Sequence, residues 1–254
     1  MIIKSKKTAI YIIGLVLLFA GSYLYTMAAY QQFRPGSSTP PVTLNLIIMN
    51  VVVFLAQMTL DNSIGLTNKL MLYPVMFPEF KPYQIITHMF AHGGFGHIFF
   101  NMFGLWMFGK ILETFWGAKR FLFFYLVCGL GAAICHMAVQ YFRYTQAVDL
   151  FNAGQVERAQ EIYAGLGPAL GASGAVMGIF VAFAYLFPNT ELYVMFIPVP
   201  VKAKWVVLVL IGIDLFGGFG TFKDNVAHWA HLGGALVGFL LVYYWNRNNR
   251  RRFY

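Results

Sequence analysis

The chain has 254 residues, 59% of them hydrophobic and 11% charged, with a net charge of +9 and a mean hydropathy of +0.64. A soluble domain carries about 25% charged residues, so this composition excludes an ordinary soluble protein and indicates an all-α polytopic membrane protein. The positive charge gathers at the chain ends and in short loops, as an orientation signal in a lipid bilayer does, so no nucleic-acid partner is implied.

Residues 1–41 form an N-terminal segment in which Lys4, Lys6 and Lys7 precede an apolar run over 9–29. That run reads as an extra transmembrane helix, as sequence upstream of a start at Met27, or as a cleaved signal. A polar linker then leads into six predicted transmembrane helices at 42–58, 95–112, 121–141, 169–187, 205–218 and 227–245. They make one core domain over 42–245, followed by a basic tail over 246–254. The connection over 61–94 is too polar to span, yet rich in Phe, Met, Tyr and Pro, and is expected to lie partly in the membrane interface. After the third span the chain turns polar over 143–167, where 148–164 fits a short amphipathic helix. Cys128 and Cys135 lie seven apart in one span, about 10 Å on a helix and too far for a disulfide.

Six spans put both ends of the core on one side, and the basic tail makes that side the cytoplasm. Arg34, Lys110, Lys119, Arg120, Lys202, Lys204 and the tail arginines Arg247, Arg250, Arg251 and Arg252 then lie inside. Only Lys69, Lys81, Arg143, Arg158 and Lys223 lie outside, among several acids. A further helix before the first span would carry Lys4, Lys6 and Lys7 outside, against the same rule.

This orientation sets the depth of the polar residues. The second, fourth and sixth spans all enter from outside, so His97, Asn101, Ser173 and His231 come to similar depth in the outer leaflet. Ser173 is expected about one turn into its helix. Ionisable groups inside a membrane are costly and tend to be functional. A serine hydroxyl needs a base, which a histidine supplies near neutral pH. Acyl transfer also needs donors for an oxyanion, which the His97 ring, the Asn101 amide and the Ser173 backbone N–H can provide. No carboxylate lies at this depth in these three spans, so the expected arrangement is a Ser-His dyad. Gly174 and Gly178 on the fourth span, and Gly234 and Gly238 on the sixth, are four apart and let the two backbones approach.

Three motifs carry a resemblance: His97-Ile98-Phe99-Phe100-Asn101, Gly171-Ala172-Ser173-Gly174 and Ala230-His231-Leu232-Gly233-Gly234. In this order and at these span positions the chain resembles the rhomboid family of intramembrane serine proteases, over roughly residues 42–245. The resemblance implies that Ser173 is the nucleophile and His231 the general base. It implies an oxyanion hole of His97, Asn101 and the Ser173 backbone amide, with no metal or other cofactor. It implies transmembrane protein substrates cut on the outer side, a bacterial inner (cytoplasmic) membrane location, and substrate entry gated by the fifth span and the loop after it. Two positions depart from common members: Tyr83-Gln84 stands in place of Trp-Arg, and Met177 in place of a tyrosine that packs on the histidine.

Plainer readings exist for single residues. Ser173 on its own is a helix-packing serine. His88 and His92 read as loop hydrogen-bonders, His136 and Glu113 as structural, and His228 as structural or rim-lining. Asp214, an acid within the fifth span, either helps to set the gate or, in the plainer reading, is satisfied internally near polar backbone. The alternatives for the whole chain are an inactive relative that binds membrane clients, and a transporter or metal-handling protein built on the histidines.

Overall fold

The structure, a computed structural model, describes residues 39–193, 200–219 and 227–249. The apolar run over 9–29, part of the loop after the fourth span, most of the Gly-rich loop after the fifth and the tail beyond residue 249 lie outside these.

The first helix, α1 (Pro41–Ile64), is patterned inside out. Its polar residues Thr43, Asn50 and Gln57 are buried, while Leu44, Ile48, Val52, Leu55 and Met58 are exposed. Thr43, Asn50 and Gln57 are seven apart, two helical turns, so they stack on one face. A helix that points apolar groups outward and keeps polar ones inside is suited to lipid, where unpaired polar groups are expensive. Pro41 is tolerated in the first turn, where its missing N–H has no partner to lose. The following donors are capped from another helix. The Glu113 carboxylate accepts from the Val42 and Thr43 backbone N–H groups at 2.9 and 2.7 Å, and from the Thr43 hydroxyl at 2.8 Å. Glu113, expected to be structural, thus ties the start of α1 to the far end of the helix that carries His97.

The long connection is an ordered element that includes α2 (Leu66–Leu70), α3 (Gln84–Thr87) and a 3-10 turn at His88–Phe90. It is pinned by polar side chains. The buried Gln84, at one of the atypical positions, accepts from the Lys81 N–H at 3.0 Å and donates to the Glu79 carbonyl at 3.1 Å. Gln57 of α1 accepts from the His92 N–H at 2.9 Å and donates to the Thr67 hydroxyl at 2.9 Å. Helix α4 (Phe95–Trp116) starts directly after this anchor. It passes through a π turn at Leu105–Gly109.

Helix α5 (Ala118–Asn152) is longer than expected, running past residue 141 for three more turns before breaking at Ala153-Gly154. Polarity ends a membrane span without ending a helix, so hydropathy marks the span over 121–141 and not the end of the helix that contains it. The amphipathic helix is correspondingly shorter, α6 (Val156–Ala164). Helix α7 (Ser173–Leu186) is the centre of the packing, with ten of its fourteen residues buried. After a two-residue antiparallel pair, Glu191–Leu192 with Val201–Lys202, come α8 (Ala203–Gly218) and α9 (His228–Asn249). Each predicted span falls on a helix, and α1, α4 and α5 are long and apolar enough to cross a membrane.

Helices α5, α7 and α9 meet through small residues. A Cβ on Gly178 would come within 3.0 Å of the Gly234 carbonyl, and one on Gly238 within 2.7 Å of the Gly178 Cα. A Cβ on Gly234 would overlap the Gly174 carbonyl, and one on Gly174 would overlap Ala132 of α5. The two helices are therefore in direct backbone contact, which no pair of larger residues permits. Cys128, buried, lies against Gly178, and both cysteines are free thiols.

Candidate active site

The turn before α7 is held from three sides. His136 Nε2 of α5 lies 3.2 Å from the Gly167 carbonyl. Leu72 and Ala169 exchange backbone hydrogen bonds at 2.8 and 2.9 Å, and the Gly171 N–H donates to the His88 carbonyl at 2.8 Å. Gly171 has φ 123°, a conformation that L side chains rarely adopt, and a Cβ there would meet the His97 ring at 2.7 Å. Glycine is thus required here both for the backbone and for the approach of the ring.

Ser173 follows as the first residue of α7, not a turn inside it as expected from hydropathy. Its backbone N–H is among the donors that a helix start leaves without an intrahelical partner, at the end where the dipole favours negative charge. The Ser173 hydroxyl lies 2.7 Å from His231 Nε2 of α9, a residue 58 positions away. Nδ1 of the same ring lies 2.9 Å from Oδ1 of Asp214 on α8. An ionised carboxylate only accepts, so the ring proton sits on Nδ1 and the lone pair on Nε2 faces the serine.

His97 and Asn101 are on α4, one turn apart. The Gly93 N–H donates to His97 Nδ1 at 3.3 Å. That bond assigns the ring proton to Nε2, the atom packed against Gly171 beside the Ser173 hydroxyl. Asn101 is buried and donates from Nδ2 to the His97 carbonyl at 2.9 Å, one of the two N–H bonds its amide can make. The structure thus places His97, Ser173 and His231 together, with Asn101 one helical turn from His97.

Asp214 arrives from a fourth helix, apart from the three that bear the other polar residues, and the groups that satisfy it are histidine side chains rather than polar backbone. Its one visible signal was an acid inside an apolar span. His228, read as structural or rim-lining, also reaches Asp214 Oδ1, through Nδ1 at 2.8 Å. Asp214, His228 and His231 offer ligand atoms within 4.8 Å of one another, so they are the group among the described residues that a metal ion would fit.

The other two loop histidines are buried rather than convergent on this cluster. His88 Nδ1 lies 2.9 Å from the Gln84 carbonyl, and the His92 ring lies edge-on to that of His97, with centroids 5.1 Å apart. Burial holds both well below the ordinary histidine value, to about 4. Both rings therefore stay neutral in the folded chain while the unfolded chain takes up protons near pH 6.5. The stability they allow is fully present above pH 6.5 and lost as pH falls towards 4, by up to about 3 kcal/mol for each ring. Thermal unfolding in detergent is expected to show this drop between pH 7 and 4.5, reduced in a His88→Gln chain; a melting temperature flat across that window contradicts it.

The rhomboid domain family matches residues 79–248. The chain belongs to the rhomboid family. It is 30% identical over 224 residues to RHOMBOID-like protein 12, mitochondrial, of Arabidopsis thaliana, covering 88% of this chain and 63% of that one. It is 32% identical over 161 residues to Rhomboid protein 1, mitochondrial, of Saccharomyces cerevisiae, covering 63% and 41%. It is 27% identical over 218 residues to Rhomboid protease AarA of Providencia stuartii, covering 79% and 70%. The chain thus spans less than two thirds of the length of the first two relatives. The rhomboid family and the apolar helices make this an integral membrane protein.

Proposed function

We propose that this rhomboid protein is an intramembrane serine endopeptidase that cuts peptide bonds in or near the transmembrane segments of other membrane proteins. The observation that carries the reading is the 2.7 Å contact between Ser173 Oγ and His231 Nε2, made by residues with no local reason to meet. Ser173 Oγ attacks the scissile carbonyl carbon while its proton passes to His231 Nε2. The oxyanion is received by the Ser173 backbone N–H, His97 Nε2–H and the second N–H of Asn101. His231 gives the proton to the leaving amine as the C–N bond breaks; water, deprotonated by the same ring, then attacks the acyl carbon, and the ring returns that proton to Ser173 Oγ as the ester bond breaks.

The fourteen residues of α7 rise about 21 Å, short of the ~30 Å hydrocarbon core. With six crossings and the basic tail inside, the nucleophile then sits below the outer surface, where a substrate helix can reach it. The bacterial relative supports a bacterial cytoplasmic membrane; the mitochondrial names of the other two relatives favour a mitochondrial membrane as the second reading.

A fluorophosphonate probe applied to the purified protein in detergent tests the nucleophile. One adduct is expected, on Ser173. No adduct on a folded chain, with zinc found by elemental analysis, would instead favour the metal-handling reading.

A further inference from the structure

We infer that Asp214 is a positioning residue that converts the serine–histidine pair into an Asp214–His231–Ser173 relay, with His228 as a second clamp on the carboxylate. This rests on the protease reading for its catalytic meaning, although the geometry stands by itself. Asp214 Oδ1 is 2.9 Å from His231 Nδ1 and 2.8 Å from His228 Nδ1, while His231 Nε2 is 2.7 Å from Ser173 Oγ. The three bonds run unbroken from a carboxylate through an imidazole to a hydroxyl.

The side chains of Asp214 and His228 are only 8% and 7% exposed, whereas that of His231 is 18% exposed. The accessible end of the relay is therefore the end that would meet a substrate. A buried carboxylate on an otherwise apolar helix is expensive unless hydrogen-bonded. Two N–H donors from the start of α9 meet that need, and both rings are thereby fixed with the proton on Nδ1. For His231 this is the tautomer that can accept the serine proton. When the ring becomes an imidazolium during attack, the adjacent carboxylate stabilises it. His228 shares the same oxygen from one turn away, which stops the carboxylate rotating off His231. The outer face of α8 is apolar and exposed at Leu208, Val209, Ile213 and Phe216. Asp214 is thus delivered by a helix at the edge of the bundle, and any displacement of α8 from α9 breaks both bonds.

The test uses the full chain in detergent, with Asp214→Asn, Asp214→Glu and His228→Gln variants. Asp214→Asn is expected to slow fluorophosphonate labelling of Ser173 by about 10²–10⁴-fold, to change the pH profile of labelling, and to be partly rescued in Asp214→Glu. His228→Gln should slow it less. Histidine ¹⁵N spectra of the Ser173→Ala protein should show His231 protonated on Nδ1, and that signal should be lost with Asp214→Asn. Labelling within threefold of the parent with an unchanged pH profile overturns the proposal, as does a His231 ring protonated on Nε2. A parent chain that is not labelled at all defeats the protease reading instead, and the spectra still decide the role of the aspartate.

Discussion

A Ser173→Ala chain will leave a model transmembrane substrate uncut in proteoliposomes, with kcat lowered at least about 10⁴-fold. The reason is chemical rather than structural. In the proposed protease the hydroxyl oxygen is the atom that forms the acyl bond, and its loss removes only one oxygen from a helix start already held by the His136–Gly167, Leu72–Ala169 and Gly171–His88 contacts. The fold should therefore survive, with a melting temperature within a few degrees of the parent. His231→Ala should cost a similar factor. The double variant should be no worse than either single one, because the two residues act as one unit across the 2.7 Å bond. Cleavage that persists in Ser173→Ala, or losses that add in the double variant, would show that this pair is not the catalytic unit.

The second large effect is expected at a residue with no chemistry. A Gly234→Ala chain places a methyl group where the Gly174 carbonyl lies. Backbone cannot move aside as a flexible side chain does, so α7 and α9 must separate. Overpacking of this kind costs about 1–3 kcal/mol. The same separation stretches the bond between Ser173 at the head of α7 and His231, three residues before the substituted glycine. Misplacement by about 1 Å costs on the order of 10²-fold in rate. Gly212→Ala on α8 is the control, because a Cβ there meets nothing within 4 Å. The expected result is a clear loss of cleavage and melting temperature in Gly234→Ala and almost none in Gly212→Ala. Equal behaviour of the two would show that the close approach of α7 and α9 does not set the site.

These two expectations mark how far the sequence is legible. The pattern of apolar runs and basic ends assigns residues from three distant spans to one depth, because hydropathy and charge act along the membrane normal, and the structure brings His97, Ser173 and His231 together. The small residues at spacing four were enough to pair α7 with α9, since close backbone approach leaves that signature directly. Helix ends were less visible. The helical hydrogen bonds of α5 continue past the apolar stretch to Asn152, and α7 begins late because Gly171 takes a backbone conformation that a helix excludes.

The lateral arrangement around the bundle was decided only in three dimensions. Hydropathy places Asp214 within an apolar stretch, but nothing in one sequence says which neighbour α8 turns that face towards. The structure turns it to His228 and His231, and so places a carboxylate where a pair of residues had been expected. Gln84 is a second case. It departs from the motif of common family members, and its amide holds the Lys81 and Glu79 backbone groups of the first loop. In both cases the deciding quantity is which unpaired donor or acceptor the fold brings within 3 Å of a buried polar group. By itself the sequence determined the class and the helix pair that carries Ser173 and His231. The tertiary structure decided which acid completes the hydrogen bonds of His231, because a buried carboxylate must find donors and only packing says where they are.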